Sequence, residues 1–205
     1  HVPTEDEVPG AMFQTAMEDP DSIPGLFLTN DGGWMSGLTV ANDSNRAKVD
    51  ERASHAAEIP AANGISNARG LAGAYRPFAL GGSADGRKFV GPDTLVGMEE
   101  ISGRSNFNQT FLTGAAWSLG FMKSMDNRRQ PFAGTDSLII GRRAVGHAGA
   151  GGSIGFADAE AGMSFGYTMN KMGGTLALTD RAQLLVDAAY RAAGFRSDAP
   201  GCWVP

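Results

Sequence analysis

The sequence predicts an α+β domain in which an antiparallel sheet is flanked by helices. Near the C-terminal end, apolar and small residues alternate through Ile154 and Phe156, and the alternation resumes after a turn at residues 157–162. Strict alternation is typical of half-buried antiparallel strands. Stretches with apolar residues at helical spacing lie on both sides of this hairpin. The second strand presents four large residues on one face: Met163, Phe165, Tyr167 and Met169.

Three regions follow from the pattern along the chain. Residues 1–60 are rich in proline and acidic residues, which indicates an irregular region of loops and short helices. Residues 61–109 form a predicted helical region. Residues 110–205 form the sheet region, with its hairpin and a C-terminal helix. At 205 residues the chain has the length of a single domain.

Local signals mark the individual helices. Ser66 is the predicted N-cap of the first helix, which Pro77 is expected to end or kink and which Gly81 and Gly82 close. Pro92 suits the first turn of a second, short helix. Ile59–Gly64 is a predicted turn, and Trp117, Leu119 and Phe121 form an alternating strand face. The last predicted helix is Thr179–Ala193, which ends before Gly194. Its apolar line is Ala182, Leu185, Val186 and Ala189.

Composition excludes several classes of function. The net charge of −5 argues against a nucleic-acid or anionic-membrane partner. No apolar run reaches the roughly 20 residues of a membrane span, so we expect a soluble protein, with the cytoplasm slightly favoured. Three scattered histidines and one cysteine offer no metal-ligand spacing, so we predict neither a metal nor a cofactor. The single Cys202 has no histidine near it in sequence and is interpreted as an inert thiol.

The segment Val145-Gly-His-Ala-Gly-Ala-Gly-Gly-Ser-Ile-Gly-Phe-Ala-Asp158 carries a resemblance. It resembles the third motif of the serine β-lactamase and penicillin-recognising superfamily, in the form of the class C-like (family VIII-type) carboxylesterases, where His-x-Gly replaces Lys-Thr-Gly. The Pro60–Gly64 turn, the Ser66–Tyr75 helix and the C-terminal helix follow the family's order, and the match covers roughly residues 58–193. Pro77 and Ala148 depart mildly from the family pattern.

The family's nucleophile motif is absent from this sequence. The residues three positions before the lysines are Asn45, Asp85, Gly120 and Thr168, so no Ser-x-x-Lys occurs. No Tyr-x-Asn occurs either, and in the family these residues lie upstream of the segment that this chain resembles. The chain also opens with His1 rather than Met. We therefore expect the C-terminal half of a β-lactamase/transpeptidase-like domain, partnered by its N-terminal half as a second chain or a cleaved segment.

The resemblance also implies roles for particular residues. His147 would face the nucleophile across the cleft, where an imidazole can donate a hydrogen bond or relay a proton. The backbone N–H of Ala150 would supply one oxyanion donor. Ala148, Gly149 and Asn170 would contact the substrate, a small ester or amide. For Asn170, a role in the turn at the strand end is an equal alternative.

Other interpretations of these residues stay open. A lone histidine in a glycine-rich strand is more often structural than catalytic before the resemblance is considered. Gly151–Gly155 matches Gly-x-Ser-x-Gly, the nucleophile elbow around Ser153, but the elbow needs a following helix and a downstream histidine, which are not expected here. The predicted function is a serine hydrolase acting through an acyl-enzyme, inactive as this chain alone. The alternatives are a non-catalytic binding or scaffold protein of the same fold and a small binding domain with a coincidental resemblance; a homo-oligomer is also left open.

Overall fold

The computed structural model describes residues 64–108, 113–129, 137–171, 173 and 177–205, together with the single positions 52 and 56. The expectations for the rest of residues 1–60, and for most of the Ile59–Gly64 turn, lie outside the described residues. Within the described ranges, no helix is long and apolar enough to cross a membrane.

The described elements are three helices and seven short strands. In chain order they are α1 (Ala68–Ala79), β1 (Ser83–Ala84), β2 (Arg87–Lys88), α2 (Pro92–Glu99), β3 (Gly103–Asn108), β4 (Thr113–Trp117), β5 (Val145–Ala148), β6 (Ile154–Asp158), β7 (Met163–Tyr167) and α3 (Asp180–Ala192). The region predicted as helical, residues 61–109, therefore also contains three strands, and the sheet region begins at Gly103 rather than near residue 110.

One antiparallel sheet dominates the fold. β5, β6 and β7 pair in that order, with His147 opposite Gly155 and Gly155 opposite Gly166. β3 pairs with β4. The two units are joined through the segment after β4, because the backbone N–H of Met122 donates to Gly146 O (2.8 Å) and that of Lys123 donates to Ala116 O (2.8 Å). The predicted hairpin is confirmed, with its turn at residues 159–162.

Helices cover both faces of the β5–β6–β7 sheet. α1 packs directly on β6 and β7, since a Cβ at Gly166 would lie 2.3 Å from Ala68 O and one at Gly155 would lie 2.4 Å from the ring of Tyr75. The opposite face packs against α3 in the main core, which contains Phe156, Tyr190 and Trp203. The molecule is therefore layered as helix, sheet and helix, which confirms the predicted α+β class.

The first helix begins and ends differently from the prediction. Asn67, not Ser66, is the N-cap, because its Oδ1 accepts from the backbone N–H of Gly70 at 2.9 Å. Pro77 does not end the helix, which continues to Ala79. A proline three residues from the end removes only one late hydrogen bond, so the last turn tolerates it. Gly81 follows with a φ of 73°, in agreement with the predicted glycine termination.

Two further expectations are corrected. Trp117, Leu119 and Phe121 do not form one strand face, because β4 ends at Trp117 and a tight turn with Gly120 at φ 77° leaves Leu119 exposed. In α3 the predicted cap Thr179 is confirmed, but Leu185 is 46% exposed.

The buried line of α3 is completed by Tyr190 instead of Leu185. The short hairpin of β1 and β2 was not predicted at all. Its turn residues Asp85 and Gly86 both have positive φ, and an Asp-Gly pair is the sequence signal for such a turn.

Candidate active site around His147

His147 lies on β5 between two buried neighbours. Gly146 and Ala148 are buried, whereas His147 is exposed. Because side chains alternate across a strand, His147 shares a face with Val145, which packs beside α1, while Ala148 belongs to the core on the α3 side. The imidazole is therefore presented to solvent by a strand whose other side chains fix its position.

The imidazole makes two defined contacts. Its Nδ1 lies 2.6 Å from Ala148 O, and its ring centroid is 5.8 Å from that of Trp117, at an interplanar angle of 50°. A carbonyl oxygen only accepts hydrogen bonds, so this contact requires a proton on Nδ1. In the neutral ring, Nε2 then carries the lone pair and can accept a proton or a hydrogen bond.

A tight turn follows the motif. The N–H of Gly149 donates to Ser153 O (2.7 Å), and the N–H of Gly152 donates to Gly149 O (3.0 Å). Gly151 and Gly152 have positive φ, at 86° and 110°. Within the described part of the chain, the N–H of Ala150 has no acceptor. The turn thus contains one backbone N–H, three residues after His147, that no acceptor in the described residues takes up.

Contacts from α3 hold this turn in place. A Cβ at Gly152 would lie 2.7 Å from the Thr179 side chain, and Thr179 is the N-cap of α3. The N–H of Gly173 donates to Gly151 O at 2.9 Å. The glycines therefore serve close packing between the turn and α3, in keeping with the close approach that the sequence indicated.

A small cavity lies beside His147, between β4 and β5. Its volume is about 40 Å³, room for about three water-sized groups. Most of its lining is apolar or small. The lining residues are Thr113, Gly114, Ala115, Ala116, Met122, Lys123, Met125, Leu138, His147, Ala148 and Ala177.

Lys123 is the charged residue in this lining, and the sequence analysis missed it as a site residue. It is only 1% exposed, and its Nζ donates to Ala144 O at 2.6 Å. Burial lowers the pKa of the amine to about 8, although the negative charges of Glu99 and Asp158 oppose this shift. The available signal was its alternation with Phe121 and Met125, which places a lysine on the same strand face as two large apolar residues.

The predicted site residues gather at one end of the sheet. β5 ends at Ala148 and β7 ends at Tyr167, and since Tyr167 pairs with Ile154 these two ends lie on the same side. Asn170 follows β7 there and is exposed. The structure thus places His147, Ala150 and Asn170 at the same end of the sheet.

Ser153 occupies a different environment from a nucleophile elbow. It leads into β6, not into a helix, as the sequence predicted. Its Oγ donates to Met169 Sδ (2.6 Å) and accepts from the N–H of Met169 (3.3 Å). The hydroxyl therefore links β6 to the end of β7. Among the described residues, no three His, Cys, Asp or Glu side chains lie together as a metal site requires.

The model of the family described as Beta-lactamase matches residues 9–190. This chain belongs to the beta-lactamase family. The match begins well before residue 58, so the family resemblance extends into the first region.

Individual relatives agree with this assignment. The chain is 32% identical over 126 residues to the Esterase/beta-lactamase LipL of Mycobacterium tuberculosis (strain ATCC 25618 / H37Rv), covering 62% of this chain and 27% of LipL. It is similar to a family VIII carboxylesterase of known structure, with a TM-score of 0.58, 33% identity, and coverage of 69% of this chain and 36% of the other.

The likeness extends to a second branch of the fold. A novel penicillin-binding protein homolog from Caulobacter crescentus aligns with a TM-score of 0.56 and 30% identity, covering 70% of this chain and 36% of that protein. The fold is thus of the β-lactamase and penicillin-binding-protein type. The chain spans 27% of the length of LipL and 36% of each of the two solved relatives.

Proposed function

We propose that this chain is the C-terminal portion of a serine hydrolase that acts on small esters or amides through an acyl-enzyme. The observation that carries the proposal is the exposed His147 at the end of β5, beside a turn in which Ala150 N–H has no described acceptor. This arrangement follows the His-x-Gly motif of the family. The names of two relatives, an esterase/beta-lactamase and a carboxylesterase, support the same reaction class.

The nucleophile has to come from outside this sequence. No Ser-x-x-Lys occurs in the 205 residues, so we assign the nucleophilic Ser, its Lys and the Tyr to an N-terminal segment or a second chain. The Ser oxygen would attack the substrate carbonyl and displace the alcohol or amine, leaving an ester on the enzyme. Water would then release the acid and regenerate the Ser.

This chain would contribute the opposite wall of the cleft. The Ala150 N–H would donate to the oxyanion that forms during attack. His147 would act through Nε2, because Nδ1–H is held by Ala148 O. In the neutral ring Nε2 would accept the proton released by the attacking hydroxyl, and in the cationic ring it would donate a proton to the leaving alcohol or amine. Gly149 and Asn170 would line the substrate path at the same end of the sheet. The side chain of Ala148 is buried in the core on the α3 side, so Ala148 would contribute only backbone atoms there.

Chemical labelling tests the source of the nucleophile. The chain is expressed alone and together with its N-terminal segment, and each preparation is treated with a fluorophosphonate and mapped by mass spectrometry. We expect ester hydrolysis and a labelled serine only in the combined preparation, with the label outside residues 1–205. Label on Ser153, or hydrolysis of p-nitrophenyl esters by a stable monomer of this chain alone, would refute the proposal.

The variant His147→Ala tests the role of the imidazole. In the combined enzyme we expect kcat/KM to fall about 100-fold, with little change in Tm because the side chain is exposed. Lys88→Ala, an exposed change on β2, is the control for nonspecific effects. A purely structural His147 would give the reverse result, with a lowered Tm and full activity in the folded fraction.

The second candidate is a non-catalytic binding or scaffold protein with this fold. The absence of Ser-x-x-Lys from this sequence is the observation that favours it. It predicts that no serine is labelled in the combined preparation, while small esters or amides still bind and protect His147 from modification by diethylpyrocarbonate. Labelling of a serine in the N-terminal segment excludes this candidate.

A further inference from the structure

Lys123 is a buried lysine that the proposed reaction does not use. Only 1% of the residue is exposed, and its Nζ ends 2.6 Å from the carbonyl oxygen of Ala144, the residue that precedes β5. Burying an amine costs free energy unless strong hydrogen bonds compensate. A Met or Leu at this place would fill the same apolar surroundings at lower cost, so the amine itself requires an explanation.

The contacts of Lys123 join the two halves of the sheet. Its backbone N–H donates to Ala116 O of β4, and its side chain donates to Ala144 O at the start of β5. The neighbouring N–H of Met122 donates to Gly146 O, within β5 itself. Lys123 therefore forms hydrogen bonds both to β4 and to Ala144, the residue that precedes β5.

Charged groups from several elements surround this amine. Glu99 of α2 and Asp158 at the end of β6 favour its cationic form, as does Cys202 of the C-terminal tail, whereas Arg143 opposes it. Arg143 is itself paired with Glu99 at 2.7 Å. A cationic donor makes a shorter and stronger hydrogen bond to a carbonyl than a neutral donor does. The 2.6 Å distance from Lys123 Nζ to Ala144 O is as short as a hydrogen bond from a cationic donor.

We propose that Lys123 is a positioning residue of the site: through Ala144 O it holds β5 against β4 and so sets the placement of His147 relative to Trp117 and the cavity between the strands. The inference rests on the proposed function, because it assigns Lys123 to the same cleft. Lys123 also lines that cavity together with His147 and Ala148. Its side chain acts on the reacting groups only through the strand that it holds.

The test compares Lys123→Met, which keeps the length but removes the donor, with Lys123→Arg, which keeps a donor. Lys88→Met is the matched control, because Lys88 is an exposed lysine on β2. The first measurement is the ¹⁵N spectrum of the histidine rings, with the His147 signal assigned by its loss in His147→Ala. The second is kcat and KM for a p-nitrophenyl ester in the combined enzyme.

For Lys123→Met we expect a shifted or doubled His147 signal and a kcat about tenfold lower, with KM changed less than twofold. A small displacement of a positioned group reduces the rate more than it reduces binding. Lys123→Arg should restore the His147 signal and most of kcat. Lys88→Met should match the wild type in both measurements.

Other outcomes separate this inference from the proposed function. A folded Lys123→Met with the wild-type His147 signal and kcat would overturn the positioning role while leaving the hydrolase intact. If the combined wild-type enzyme is inactive, the hydrolase proposal fails and the ring spectrum alone decides the role of Lys123. If Lys123→Met does not fold, Lys123→Arg decides: an unchanged His147 signal supports the role, and a shifted signal or a failure to fold overturns it.

Discussion

On the face of the sheet that packs against α1, β6 and β7 present the paired glycines Gly155 and Gly166, whereas on the opposite face they present the paired rings of Phe156 and Phe165. The glycines allow α1 to approach to backbone contact, and the rings fill the space below α3. His147 pairs with Gly155 and is therefore the next member of the glycine row. The site thus lies on the same face of the sheet as α1.

The difference between the faces lies in what each can tolerate. On the α3 face, Tyr190 stacks between Phe156 (5.7 Å) and Trp203 (5.7 Å), and its hydroxyl bonds to the buried carboxylate of Asp158. On the α1 face, the neighbours of Gly166 are the backbone atoms Ala68 O and Ala72 N, which cannot move without shifting the helix. We therefore expect added volume to be costly on the α1 face and lost hydrogen bonds to be costly on the α3 face.

The largest effect is expected for Gly166→Ala. The new Cβ would lie 2.3 Å from Ala68 O and 2.7 Å from Ala72 N, so α1 has to move. The free energy of unfolding should fall by about 3 kcal/mol, the upper part of the range for overpacked positions. Urea unfolding measures this loss of stability. Gly103→Ala in β3 is the matched control, because a Cβ there meets no atom of the described residues within 4 Å. Equal effects of the two variants would contradict the tight contact.

A smaller effect is expected for Tyr190→Phe on the opposite face. The Tyr190 hydroxyl donates to Asp158 Oδ2 (2.8 Å) and accepts from Gly141 N–H (2.7 Å), and its removal leaves two buried polar groups without this partner. The cost should be about 2 kcal/mol. Burial and the charge of Asp158 both raise the pKa of Tyr190, so the hydroxyl stays protonated across the neutral range.

Tyr75→Phe on the α1 face is the control for the Tyr190 variant. Tyr75 contacts Gly155 through its ring, and within the described residues its hydroxyl has no hydrogen-bond partner. We expect a change below about 0.5 kcal/mol, as for substitutions that break no buried contact. A loss as large as that of Tyr190→Phe would show that hydroxyl bonding does not distinguish the two faces.

The sequence predicted the local elements of this structure better than their contacts. The sequence predicted the hairpin of β6 and β7 because its apolar residues alternate with a period of two. It predicted α3 because Thr179 and Gly194 mark the ends of that helix. The glycines indicated a close approach, but local sequence does not tell whether a helix or a ligand approaches. The partner of Gly155 and Gly166 is α1, some 80 to 100 residues earlier in the chain.

The candidate site shows the same limit. His147, Ala150 and Asn170 could be named because one motif and one strand end contain them. Lys123 could not, because its contact with Ala144 O joins two segments that lie 21 positions apart. Tyr190 was missed for a related reason: helical spacing allows either it or Ala189 to face the core, and only the buried carboxylate of Asp158 decides between them.

An effect of opposite sign, a modest stabilisation, is expected for Gly73→Ala in α1. Gly73 is exposed, and among the described residues a Cβ there meets nothing within 4 Å, so this side of α1 does not contact the sheet. Alanine loses less conformational entropy than glycine when it becomes helical, and the free energy of unfolding should rise by about 0.5–1 kcal/mol. Urea unfolding of Gly73→Ala and of Gly166→Ala compares a change on the exposed side of α1 with a change where α1 packs against the sheet. A destabilised Gly73→Ala would mean that α1 is also covered on its outer side.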